Sequence, residues 1–111
     1  MYWRADKRMR GVEVAARFGE NLARCRGRAR LSQEELGFRA SLHRTEIGML
    51  ERGVRLPRID TLIKLAGALE IPAGELLDGL DWTPGGPRIG EFRVGNDPNG
   101  DLDSKSAFRR G

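Results

Sequence analysis

The stretch from Ser32 to Gly53 constrains this chain more than any other. It reads as two helices, residues 33–40 and 44–52, separated only by Ser41-Leu42-His43. The first helix carries its own start signal. Ser32 can accept from the backbone N–H of Glu35, and the Glu35 side chain can reach back to Ser32, which makes a capping box. Gly53 is placed to close the second helix in the left-handed conformation. Leu36 and Ala40 form the inward pair of the first helix. Leu42, Ile47 and Leu50 do the same for the second. Helices this short are marginal alone in water, so both must pack on each other and on a larger scaffold.

The flanks supply that scaffold. Val14, Phe18, Leu22, Cys25 and Ala29 step by four, four, three and four, one apolar stripe on a helix over 12–29. Arg17, Glu20, Arg24 and Arg28 fall on its other faces. Downstream, Leu62, Leu65, Ala66 and Leu69 make a second stripe on a helix over 59–69. Ile71-Pro72 breaks it, and residues 73–79, with Leu76 and Leu77, form a last short helix. The sum is an all-α unit of five helices over 12–80. Residues 1–11 hold Arg4, Lys7, Arg8 and Arg10 around Tyr2 and Trp3 without helical periodicity, and read as a flexible basic arm. The sequence does not distinguish a start at Met1 from one at Met9. Beyond Leu80, Pro84-Gly85-Gly86-Pro87 and Asn96-Asp97-Pro98-Asn99-Gly100 are turn chemistry. Ile89, Phe92 and Val94 support at most a short strand, so 81–111 reads as a Gly/Pro-rich, partly disordered tail.

Composition narrows the function. A chain of 111 residues with 39% hydrophobic residues supports one small domain. No run approaches the roughly 18 apolar residues of a membrane helix, and charges occupy the N-terminus where a secretory signal is apolar. A cytoplasmic domain with no membrane contact is expected. The single cysteine makes neither an internal disulfide nor a thiolate cluster. Cys25 reads as a small buried hydrophobe. One histidine, no nucleotide-binding loop and no Gly-x-Ser-x-Gly leave no catalytic set, so no enzyme, cofactor or metal is expected. Asp97, Asn99, Asp101 and Asp103 alternate like calcium ligands, but Leu102 stands where such a loop needs glycine and no glutamate closes it. Net charge is +4, unevenly spread: +6 over residues 1–30, −2 over 31–80 and 0 over 81–111. That balance is compatible with a nucleic-acid partner.

Two short helices with a tight turn form a helix-turn-helix layout. Leu31-Ser32-Gln33-Glu34-Glu35-Leu36, then Ile47 with Leu50-Glu51-Arg52-Gly53, then Pro57, then Leu62-Ile63-Lys64-Leu65-Ala66 and Leu69, resemble the lambda-repressor-like, or XRE-type, helix-turn-helix regulators. The resemblance covers about residues 14–80. It implies a five-helix DNA-binding domain whose second motif helix docks in the major groove of double-stranded DNA, acting in transcriptional regulation through repression, which needs only operator occupancy. It also implies a homodimer on two half-sites about 34–36 Å apart, for which Leu76, Leu77, Leu80 and Trp82 are the candidate surface.

On that reading, Arg44, Thr45, Glu46, Gly48 and Met49 point away from the core. Arg44 is the candidate for bidentate readout of guanine, Glu46 for the cytosine amino group, and Thr45 or Met49 for a thymine methyl. His43 stands at the N-cap, a poorer cap than Ser or Thr, and is a candidate phosphate contact. Arg52 and Arg55 flank the helix end as further phosphate candidates. By the resemblance, Gln33 touches the DNA backbone and braces the recognition helix, and Arg26 pairs with Glu51 in a structural ion pair. Three residues depart from the family pattern. Ser41 replaces the usual turn glycine, Gly37 the usual alanine of the first motif helix, and Gly48 sits mid-helix. A left-handed Ser41 and a mid-helix Gly48 each cost on the order of 1 kcal/mol, while Gly37 permits close packing but weakens its helix, which implies a motif that is flexible when free. The alternative reading is an antitoxin or a restriction–modification controller whose residues 81–111 bind a protein partner.

Overall fold

The apolar stripes converge on one core. In the computed structural model, which describes residues 2–85 and 89–95, the elements run α1 (Tyr2–Ala29), α2 (Gln33–Ala40), α3 (Arg44–Glu51), α4 (Ile59–Leu69), α5 (Ala73–Leu76), β1 (Leu80–Thr83) and β2 (Glu91–Val94). Phe18, Leu22 and Cys25 of α1 meet Leu36 and Ala40 of α2, Ile47 and Leu50 of α3, Leu65, Ala66 and Leu69 of α4, and Leu76 of α5. Leu31, Leu42 and Leu62 close the margins. Burial pushes the Cys25 thiol above its ordinary range, as for a small apolar residue in a core. α2, α3 and α4 begin and end within a residue of their expected limits.

Close approach of α1 to α3 depends on a residue without a side chain. A Cβ built on Gly19 would lie 2.5 Å from the carbonyl oxygens of both Leu50 and Glu51. Glycine therefore lets the end of α3 rest directly on α1. Two residues along, Asn21 is fully buried. Its Nδ2 donates to the Leu76 and Asp78 carbonyls, both at 3.0 Å, and its Oδ1 accepts from Arg24 Nη2 at 2.8 Å. The amide thus satisfies carbonyls left over where α5 ends.

The two termini differ from the sequence reading. The expected arm at 1–11 is instead the beginning of α1, which starts at Tyr2. Arg4, Ala5, Lys7, Arg8, Met9 and Arg10 are strong helix formers with no Gly or Pro before Gly11. Adding turns to an existing helix needs no new nucleation. Apolar periodicity reports which face is buried, and its lack does not end a helix. At the other end, α5 is a single turn, Ala29 is exposed, and the expected tail begins with a hairpin. β1 pairs antiparallel with β2 from Leu80 opposite Val94 to Thr83 opposite Glu91. Trp82 and Phe92 face each other across it, edge to face at 5.1 Å. Two strands alone are marginal, and here β2 packs on α1. Arg17 Nη2 donates to the Gly95 carbonyl, and Gly95 N–H to the Gly79 carbonyl at 2.7 Å. The candidate calcium-like run Asp97–Asp103 lies outside the described residues. None of the described helices is long and apolar enough to cross a membrane.

Candidate nucleic-acid interface

Local chemistry sets the motif's geometry. Glu35 N–H donates to Ser32 Oγ at 3.0 Å, and Ser32 N–H to Glu35 Oε1 at 2.7 Å. Both halves of the capping box are made. These bonds to Ser32 hold the Glu35 carboxyl below the usual carboxylate range. α2 stops because Ser41 turns left-handed, at φ 58° and ψ 44°. The Leu42 N–H then returns to the Gly37 carbonyl at 2.8 Å. A Cβ on Gly37 would sit 2.5 Å from the Leu42 carbonyl oxygen, so the tight turn requires glycine there.

His43 begins α3. Its Nδ1 accepts from the Thr45 N–H at 3.0 Å, so the imidazole is the N-cap. A ring that accepts at Nδ1 carries its proton on Nε2. The exposed side chain therefore offers one outward donor beside Arg44 and Thr45, which are also exposed.

The far end of α3 is locked. Glu51 accepts from Arg26 Nε at 2.6 Å through Oε2, and from Arg26 Nη2 and Gln33 Nε2, each at 3.0 Å, through Oε1. Arg26 Nη1 also donates to the Leu31 carbonyl at 2.9 Å. Hydrogen bonding to Glu51 raises the Arg26 pKa further, despite the opposing cost of burial. The Glu51 side chain is only 9% exposed. One carboxylate thus joins α1, the start of α2 and the end of α3.

Ile47 and Leu50 are fully buried on the inner side of α3. The outer side carries Arg44, Thr45, Gly48, Met49 and Arg52. Arg44, Thr45 and Arg52 are exposed, Glu46 and Met49 half-buried, and Arg55 is exposed in the following connection. Gly48 departs from the sequence reading. It lies on the outer side yet is buried, because Arg52 and Gln33 cover it. A Cβ there would meet Arg52 Nη1 at 3.2 Å and Gln33 Oε1 at 3.7 Å. Periodicity gives the side of the helix but not what a neighbouring arginine does with the space.

Charge is distributed in a way the composition does not show. On α1, Arg17 lies 3.8 Å from Glu20, Arg24 3.9 Å from Asp78, and Arg28 3.9 Å from Glu75. Among the described residues, Arg44, Arg52 and Arg55 have no ion-pair partner. Some of the positive charge of residues 12–30 is thus already answered, while that around α3 is open to a polyanion.

Sequence reasoning missed Gly19, Asn21 and the seat at Gly48. Asn21 had a signal: it stands three residues after Phe18 and beside Leu22, on the buried side of α1. The two glycines had none, since a missing side chain does not name the group that fills its place.

Comparison with known proteins places this geometry. Residues 22–76 match a family model described as helix-turn-helix. An HTH-type transcriptional regulator of Sinorhizobium fredii, y4dJ, is 41% identical over 70 residues, spanning 63% of this chain and 91% of the relative. Control protein C.BamHI of Bacillus amyloliquefaciens is 39% identical over 62 residues, spanning 55% of this chain and 76% of that protein. The crystal structure of the restriction-modification controller C.AhdI from Aeromonas hydrophila shares 40% identity at a TM-score of 0.55, over 56% of this chain and 94% of the controller. The hairpin lies beyond the stretch matched by the family model.

Proposed function

The chain belongs to the helix-turn-helix family of transcriptional regulators, and from that premise we propose that it is a sequence-specific binder of double-stranded DNA that reads the major groove with residues 44–52. The supporting observation is the contrast along α3: its C-terminal end is fixed by Arg26, Gln33 and Glu51, while Arg44 and Thr45 stand exposed at its start. Residues at the start of such a helix reach base edges. Arg44 donates its planar fork to guanine O6 and N7, Thr45 or Met49 meets a thymine methyl, and Glu46 accepts from a cytosine amino group. His43 through Nε2, Gln33, Arg52 and Arg55 hold the phosphates. Occupancy of an operator in the cytoplasm then represses transcription.

The test is selection of bound sites from a random DNA pool with the wild type and with Arg44→Ala. The wild type is expected to enrich one motif. Arg44→Ala should relax a single position, by roughly 1–3 kcal/mol of discrimination. Failure of the wild type to enrich any motif would defeat the reading. An unchanged motif in the variant would defeat only the assignment of Arg44.

A homodimer on two half-sites accompanies this reading. The candidate surface from sequence is altered by the fold, because Leu76 is in the core while Leu77 and Trp82 remain exposed. α4 offers a better one. Ile59 and Ile63 are 73% and 62% exposed, one turn apart. Asp60 and Lys64 flank them, so an antiparallel crossing of two copies sets each acid against a base. Ile63→Glu should yield a monomer by sedimentation, and a dimer unchanged by it would remove α4 from the interface.

The names of C.BamHI and C.AhdI favour a second reading, a controller of restriction–modification genes. In that reading, or in an antitoxin, residues 81–111 engage a protein. The described part presents Trp82, Ile89 and Phe92 at the surface. A DNA-only regulator keeps specific binding when 81–111 are deleted.

A further inference from the structure

The middle of the outer side of α3 has a gap, and an arginine occupies it. Gly48 and Arg52 are four residues apart, so they are neighbours on one side of the helix. Arg52 caps the helix at φ −81° and ψ −2°, still in the helical region, and its N–H donates to the Gly48 carbonyl at 3.0 Å. Side chains on a helix lean toward its N-terminus. Here that lean lays the guanidinium over Gly48, with Nη1 3.2 Å from where a Cβ would be. That separation is tighter than ordinary contact, so an alanine methyl shifts the guanidinium by a few tenths of an ångström and a larger side chain displaces it. The other wall of the gap is the Gln33 side chain, 3.7 Å from the same point through Oε1. Gln33 cannot swing away, because its Nε2 is held by Glu51.

The place matters as much as the fit. Gln33 is the first residue of α2, where backbone N–H groups have no intrahelical acceptor and the dipole is positive. The Ser32 side chain takes only the Glu35 N–H. Of the two acidic residues in that turn, Glu35 is bonded to Ser32, and Glu34 is exposed.

We propose that Gly48 is a positioning residue: the space above it seats the Arg52 guanidinium beside Gln33, and from that seat Arg52 contacts a DNA phosphate. The inference rests on the DNA-binding reading above. A seated arginine is already oriented before DNA arrives, so less freedom is lost on binding. A methyl at position 48 narrows that seat, and a larger side chain fills it.

The experiment measures affinity for the enriched operator at several salt concentrations, for the wild type, Gly48→Ala, Arg52→Ala and the double variant. Arg52→Ala is expected to bind about 3- to 10-fold more weakly and to lower the salt slope by about one, and Gly48→Ala, which only shifts the guanidinium, to fall between it and the wild type in both. The double variant should be no worse than Arg52→Ala, since the seat has no use without its occupant. Gly48→Ala should melt no lower than the wild type, because alanine is the better helix former. An unchanged affinity and slope for Gly48→Ala, or losses that add in the double variant, would overturn the proposal. Should Gly48→Ala fail to fold, Arg52→Ala decides by itself: an unchanged slope overturns the phosphate contact. A change in the enriched base at one position with Arg52→Ala would overturn it too, since a phosphate contact weakens all sequences alike. A wild type that binds no DNA would instead defeat the functional reading, which separates the two failures.

Discussion

The two ends of α3 are held in opposite ways. At its C-terminus, Glu51 accepts three hydrogen bonds from two other helices, and Gly19 lets the last carbonyls rest on α1. At its N-terminus, one imidazole nitrogen accepts one N–H, and the neighbouring side chains are exposed. A helix fixed at one end can be aimed accurately while its other end stays accessible to a ligand. The fold therefore puts its rigidity at Glu51 and its contact groups at His43, Arg44 and Thr45. The largest expected effect tests the rigid end. Glu51→Ala leaves the Arg26 guanidinium and the Gln33 amide without their shared acceptor, and should cost about 3–5 kcal/mol in denaturant unfolding. Replacing Arg26 and Glu51 together by methionine should recover much of that loss, because no uncompensated charge remains. A single-variant loss below about 1 kcal/mol would mean that the two ends do not differ in this way.

Gly19→Ala strikes the same end by a different route. Its methyl group would fall 2.5 Å from two carbonyl oxygens, so α1 and α3 must separate. Overpacking of this kind costs roughly 1–3 kcal/mol, read as a lower thermal midpoint with far-ultraviolet circular dichroism retained. By contrast, His43→Ala removes only a cap, worth about 1 kcal/mol. His43→Asn should return most of it, since asparagine caps at least as well. Hydrogen exchange sharpens the comparison directly: His43→Ala should speed exchange at the Thr45 amide while leaving Arg52 unchanged.

Much of this was legible in sequence because it is written in short spacings. The capping box needs four residues, and the apolar stripes of α1, α2, α3 and α4 repeat every three or four. The sequence therefore placed α2, the turn and α3 within a residue, and singled out Arg26, Gln33 and Glu51 through family resemblance. What was not legible depends on approach from a distance. Gly19 matters because of carbonyls some thirty residues away, and Gly48 because Arg52 folds back. Leu80 pairs with Val94 only once a turn brings them together. The start of α1 was hidden for another reason: propensity extends a helix past the point where the apolar stripe in the sequence stops.

The turn between α2 and α3 lies on the side of the weakly held end, and Ser41 measures how much strain that side tolerates. At φ 58° it occupies the left-handed region that a Cβ disfavours. Ser41→Gly removes that strain but gives the unfolded chain more freedom. The net gain should be about 0.5–1 kcal/mol, read as a higher thermal midpoint. No gain would mean that the serine is unstrained there, and the contrast between the ends would then rest on hydrogen bonds alone.

The smallest expected effect reaches the strongly held end through pH. Glu35 is fully exposed, but its carboxylate closes the cap that begins α2, and the next residue after that cap is Gln33, which braces Glu51. Hydrogen bonds to Ser32 lower its pKa in the folded state. A group with a depressed folded pKa favours folding above its unfolded pKa, and that contribution fades as pH falls through the folded value. Relative to Glu35→Gln, the wild type should therefore hold its full advantage near neutrality. The advantage should shrink as pH drops below about 4, the ordinary range of a glutamate. Paired melting curves of the two proteins between pH 7 and 3 measure it. A gap that stays constant across that range would show that the charge on Glu35 contributes nothing to the cap. The brace at Glu51 would then depend on the Ser32 hydroxyl and the packing of α2, not on the acid.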